Sequence, residues 1–154
     1  MAKIDRILFC HDFSDTADYA LPYAVLMAEK FSASLYIIHV IEESSQHWAY
    51  GEHFSDWDTV RKIFEEMEKN VALKLDDICK SRSNMLNECY PIISKGIPFS
   101  EIINVANEKG IDLIVMGSHG RTGLGRVLFG SVAQRVVRRS LCPVLTVRMP
   151  AKEA

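Results

Sequence analysis

Between an apolar run and a helix-forming segment, residues 117–131 carry five glycines: Gly117, Gly120, Gly123, Gly125 and Gly130. Such a loop suits close approach of the backbone to an anion. Without Cβ atoms the chain can take positive φ and aim successive N–H groups at a phosphate, and the next helix adds unpaired amides and a positive dipole end. Ser131 adds a hydroxyl donor at that helix start. Arg121 and Arg126 read either as phosphate clamps or as solvated loop charges.

Three familiar glycine motifs fail on particular residues. A Walker A loop from Gly120 needs Lys and Ser or Thr after Gly125, where Arg126 and Val127 stand. A dinucleotide fingerprint from Gly123 needs a small residue at Leu128. A nucleophile elbow around Ser118 needs glycine at Met116. His11, His39 and His119 lie near the same region, and histidines at strand ends read as packed, hydrogen-bonded residues rather than as catalysts. Cys10, Cys79, Cys89 and Cys142 form no C-x-x-C pair and read as free, mostly buried thiols. No H-E-x-x-H zinc signature occurs.

The elements that must position this loop follow from periodicity. Apolar runs at 4–10, 35–41, 90–94, 112–116 and 144–148 predict strands. Between them, Ala17, Ala20, Leu21, Ala24, Ala28 and Phe31 form one helical stripe behind Ser14 as N-cap, with Pro22 expected to kink it near Asp18. A long helix is expected over 58–80, with Val60, Ile63, Phe64, Met67, Val71, Leu75 and Ile78 facing inward. Further helices are expected over 99–109, entered at Pro98 and closed by Gly110, and over 131–140.

Strict alternation of strand and helix implies an α/β, doubly wound, five-stranded parallel sheet in the order 3-2-1-4-5. Residues 1–150 are expected to form this single nucleotide-binding domain, with 151–154 a short tail. Ligands of such sheets sit outside the carboxyl ends of the strands where the winding reverses. That is between strands 1 and 4, which sets Asp12 beside Gly117. Asp12 reads as a ligand contact or as a cap on the first helix. The aromatic segment 46–57 reads either as a lid or partner surface, or as a loop folded back on the domain.

The chain has 154 residues, and folding buries about 70% of the unfolded surface at such a length, enough for a core without metal or disulfides. A formal net charge of -2 argues against a nucleic-acid partner. The opening residues are too few and too charged for a signal peptide or a membrane span, so a cytoplasmic protein is expected.

The spacing Gly117-x-x-Gly120, nine residues, Gly130-Ser131 resembles the nucleotide-binding pattern of the universal stress protein family. The resemblance extends through Asp12-Phe13-Ser14, Ile38-His39-Val40, residues 112–117 and residues 142–147. It implies that Asp12 meets the adenosine moiety and that backbone at Val40, Met116 and Gly117 meets adenine. It also implies contacts from Gly120, Gly130, Ser131 and Val132 to ribose and phosphates, with Gly123 a further candidate within the loop. Cys10, at the same edge, stands where relatives often carry proline.

These readings point to an adenine-nucleotide switch, with ATP, AMP or ADP as cofactor and Mg²⁺ carried on the phosphates. A slow Mg-dependent ATPase or phosphotransferase is the alternative, though no Walker lysine or evident general base supports it. A nucleotide-free dimeric interaction module is a third reading, which leaves the glycine pattern unexplained. A homodimer through strand 144–148, an edge with unpaired backbone groups, is expected, together with an unknown protein partner.

Overall fold

The computed structural model describes residues 1–43, 56–119 and 129–150. The elements are β1 (Arg6–Cys10), α1 (Asp15–Phe31), β2 (Ser34–Glu42), α2 (Trp57–Lys80), β3 (Cys89–Gly96), α3 (Pro98–Lys109), β4 (Leu113–Gly117), α4 (Ser131–Arg139) and β5 (Val144–Val147). The five strands are all parallel, in the order β3-β2-β1-β4-β5. Alternating side chains of one strand feed two cores. Ile7 and Phe9 join Leu35, Ile37, Leu113 and Val115 under α1 and α2, while Leu8 joins Ile38, Ile114 and Met116 under α3 and α4.

Local chemistry explains the helix ends. The Ser14 hydroxyl accepts from the Ala17 amide at 3.2 Å, and Asp15 and Asp18 lie in the first turn of α1, where its dipole favours them. Ser32 closes α1 in the left-handed region at φ 54°, as Gly110 closes α3 at φ 61°. Pro22 lies inside α1, which continues to Phe31. Phe31, the last residue of α1, leaves the expected buried stripe and is 47% exposed.

α2 departs from its expected stripe more instructively. Its 24 residues span about 36 Å at 1.5 Å per residue, whereas the eight residues of β3 span about 26 Å. The helix therefore overshoots the sheet. Only Val71, Leu75 and Cys79 of α2 are buried, while Ile63 and Met67 are exposed.

The cysteines require a correction. Cys79 and Cys89 are joined in a disulfide, with 5.5 Å between their Cα atoms, whereas Cys10 and Cys142 are free. The pairing comes from the tertiary path: the turn over 81–88 returns the chain from the last turn of α2 to the start of β3. A separation of ten residues carries no local signature of that return.

Gly117 ends β4 where α1 crosses. A Cβ there would stand 2.7 Å from Thr16 Cγ2, closer than real Cβ contacts come. Gly117→Ala is therefore expected to cost about 1–3 kcal/mol in urea denaturation, as overpacking does. Thr16→Ser removes the clashing methyl and should restore most of that loss in the double variant. Purely additive effects of the two substitutions would contradict the contact.

Candidate functional site

β1 pairs with β2 on one side and β4 on the other, so the winding reverses at its carboxyl end. A cleft of about 1330 Å³ opens there. Cys10 and Asp12 enter it from β1, Val40 from β2, Met116 and Gly117 from β4, and Gly130, Ser131 and Val132 from the start of α4. The structure thus gathers these residues from four separate segments. Gly120, Arg121, Gly123 and Arg126 lie outside the described residues, as does all of the aromatic segment 46–57 except Asp56 and Trp57.

The junction after β4 is tied in both directions by Ser118. Its amide donates to the Val147 carbonyl at 2.9 Å, and its own carbonyl accepts the Gly130 amide at 2.7 Å. The two ends of the glycine segment are thereby held together. Gly130 is the N-cap of α4 at φ -69° and ψ 164°, extended backbone rather than the positive φ expected of the loop's glycines. Its amide serves Ser118, which leaves the amides of residues 131–133 as the helix's open donors among the described residues. Gly130 has no side chain to cap this end and no acidic residue lies in its first turn, so its positive dipole end is not neutralised by the helix itself.

Asp12 does local work as well. Its Oδ1 accepts from the Ser14 amide at 3.0 Å and from the Ser14 hydroxyl at 2.5 Å, which orients the α1 cap. Asp12 thus braces the cap, and it also lines the cleft. Met116 contributes to the floor of the cleft as a nearly buried member of the core under α3 and α4. Burial pushes the Cys10 thiol well above its ordinary pKa, with Asp12 and Cys142 acting the same way, so Cys10 enters the site as a neutral apolar group.

Known proteins with this arrangement decide the family. Residues 3–148 match the Universal stress protein family. A universal stress protein of Methanocaldococcus jannaschii is 36% identical over 148 residues, covering 96% of this chain and 84% of its own length. Universal stress protein YxiE of Bacillus subtilis is 34% identical over 151 residues, covering 94% and 99%. The chain belongs to the universal stress protein family. Among solved structures, UspA from Lactobacillus plantarum superposes with a TM-score of 0.75 at 27% identity, covering 96% of this chain and all (100%) of its own. The structure of another M. jannaschii protein, solved to assign a biochemical function, gives 0.78 at 30% identity, covering 96% and 98%.

Two features of this universal stress protein escaped the sequence reading. One is α2, whose Met67, Asn70 and Lys74 line the cleft. The other is an aromatic chain behind Asp12. Phe9 meets His11 edge-on at 5.7 Å between ring centres, His11 meets Phe13 at 4.9 Å, and Phe13 meets His39 at 4.7 Å. Phe13 holds φ 59°, a costly conformation for a bulky residue. Its amide donates to His11 Nδ1 at 3.0 Å, and the Lys74 ammonium lies 5.1 Å from its ring centre. A bulky residue at positive φ has no sequence signature.

These bonds fix both imidazole tautomers. His11 accepts at Nδ1 and so carries its proton on Nε2, 3.1 Å from Asp18 Oδ1. His39 carries its proton on Nδ1 and donates it to the His11 carbonyl at 2.8 Å. Among the described residues no group of three or more His, Cys, Asp or Glu converges to hold a metal.

Burial holds His11 below its ordinary pKa, and His39 adds to the downward push, against the upward pull of Asp18 and Asp12. As pH falls past about 6.5 the unfolded chain takes up a proton that the folded chain refuses. The unfolded state then binds more protons, so stability falls with pH in that window. Denaturation midpoints measured between about pH 7.5 and 5.5 should drop less steeply in His11→Gln than in the wild type. Equal slopes would contradict a neutral, buried His11.

Proposed function

We propose that this universal stress protein binds an adenine nucleotide, ATP foremost, in the cleft at the end of β1 and β4, and that occupancy acts as a regulatory switch. The observation that carries this reading is the convergence of Asp12, Val40, Met116 and Gly117 on one cleft with the uncapped, acid-free start of α4. Ser131 and the following amides suit the phosphates, the Val40 and Met116 edge suits a purine, and any Mg²⁺ arrives on the phosphate chain. Two universal stress proteins of the same fold, each 20% identical to this chain, were solved in complex with cAMP and with dAMP. At that distance they speak for the fold, and this chain's own residues must speak for its ligand.

Gly130 stands in extended backbone that valine can adopt, so Gly130→Val tests ligand approach once circular dichroism shows that the variant folds, valine being a weaker N-cap than glycine. The variant should lose about tenfold or more in ATP affinity by calorimetry. A folded variant that binds as the wild type does would sink the proposal.

The edge of the sheet supports a second proposal, a homodimer through β5. Val144, Leu145 and Thr146 are only partly buried, β5 pairs with β4 alone within the sheet, and Leu141 just before it is 87% exposed. An antiparallel pairing of two such edges about a two-fold axis satisfies their backbone groups. Sedimentation velocity at micromolar concentration should show a dimer, weakened by Thr146→Pro in protein whose circular dichroism is unchanged. A 17.4 kDa monomer for the wild type would refute the interface.

A further inference from the structure

The disulfide between Cys79 and Cys89 joins the last turn of α2 to the first residue of β3. We propose that this bond is a redox-modifiable clip that sets how α2 sits over the cleft, opened by a low-molecular-weight thiol and re-formed by the corresponding disulfide. Control of nucleotide affinity by the clip rests on the nucleotide reading above, whereas the clip itself rests on the fold.

The argument begins with how α2 is held. Its buried anchors are Val71, Leu75 and Cys79, spaced one turn apart along a single line near its C-terminal end, with Ile78 partly buried beside them. Before Val71 the helix buries no residue and forms a lever whose first turns reach past the sheet, with Ile63, Met67 and Asn70 lining the cleft. Lys74, whose ammonium rests over Phe13, lies five residues before Cys79, about 7.5 Å along the helix axis. β3 is itself an edge strand, hydrogen-bonded within the sheet to β2 alone. One further tie crosses to it, the ion pair of Glu68 with Lys95 at 2.6 Å, and both side chains are nearly half exposed, so water screens it. Opening the disulfide removes the one covalent cross-link of α2 to β3 among the described residues and leaves Val71 and Leu75 as its other buried anchors, with Ile78, the Lys74 contact on Phe13 and a screened ion pair beside them.

The chemistry has an entry point. Cys79 is buried, but Cys89 is only partly so and is flanked by exposed Glu88 and Tyr90. An incoming thiolate attacks Cys89 Sγ, the S–S bond breaks, and Cys79 leaves as a thiolate that takes up a proton. A second thiolate attacks the reductant sulfur of the mixed disulfide and releases Cys89. Two electrons pass to the protein: two thiols are oxidised to one small disulfide, and the protein disulfide is reduced to two thiols. Cys10 and Cys142 take no part, since both pack against the core on the opposite face of the sheet.

If the closed clip favours the nucleotide-binding pose, the bound nucleotide must favour the closed clip by the same factor. The full chain is equilibrated in glutathione redox buffers with and without ATP, its thiols are trapped by alkylation, and peptide mass spectrometry reads the state of Cys79 and Cys89. Hydrogen exchange across residues 57–70 and ATP affinity by calorimetry are then compared in oxidised and reduced protein. Reduction should speed exchange in 57–70 and weaken ATP by about fivefold or more, and ATP should shift the redox equilibrium by that same factor. Cys89→Ser should behave as reduced protein in either buffer. A bond that no glutathione buffer opens, or exchange across 57–70 that is unchanged once alkylation proves it open, overturns the clip. Faster exchange with equal ATP affinity in the two states overturns its control of binding. Faster exchange in a protein that binds no ATP in either state upholds the clip and sinks the nucleotide reading instead.

Discussion

Ile7, Leu8 and Phe9 are all fully buried, so β1 has to be covered on both faces at once. Each such side chain contributes about 1.5–3 kcal/mol by leaving water, and consecutive ones point to opposite sides. Right-handed crossovers meet this demand only if the chain winds away from β1 in one direction over one face and in the other direction over the other. The reversal falls at the carboxyl end of β1, where no crossover helix can lie directly across the strand ends. The cleft is the opening that this leaves, and Asp12, Val40 and Met116 stand around it because they lie within two residues of the carboxyl ends of β1, β2 and β4.

Much of that logic was legible in the sequence because it is local or periodic. Apolar runs give strands, Ser14 and Gly110 mark helix ends, and alternation gives the sheet order, all of which the structure shows. What escaped depends on lengths and distances that periodicity does not encode. The stripe of α2 from Val60 to Met67 looks the same in sequence whether it packs on a sheet or extends beyond one. The partner of Cys79 is set by where the turn over 81–88 returns the chain. Gly117 reads as a ligand contact by its motif, yet the nearest constraint on it is Thr16 of α1.

The electrostatics of the cleft are arranged by withholding charge as much as by supplying it. Cys10 is kept protonated and His11 neutral by burial, Asp12 is engaged with Ser14, and the start of α4 carries no acid. Of the basic residues of α4, Arg135 lines the cleft with its guanidinium over the Phe99 ring, and Arg139 lies against the same ring, each about 5 Å from its centre. Lys74 lines the cleft from α2. An anion entering at the start of α4 meets amide dipoles and no acidic residue in that first turn, which suits a phosphate held by backbone.

Phe13 shows why a local rule is broken beside this site. Glycine at that position would relieve the backbone at φ 59°, since only a residue without Cβ takes that conformation freely. It would also remove the ring that lies against both His11 and His39 and beneath Lys74. That ring joins the end of β1 to Lys74 of α2 at the cleft, in addition to the core the two elements share. The strain is over-determined by three ring or cation contacts and by the amide bond to His11 Nδ1, so it persists. A residue that is locally unfavourable thus becomes the contact through which the α1 cap, the buried histidines and the overhanging helix are held in one arrangement.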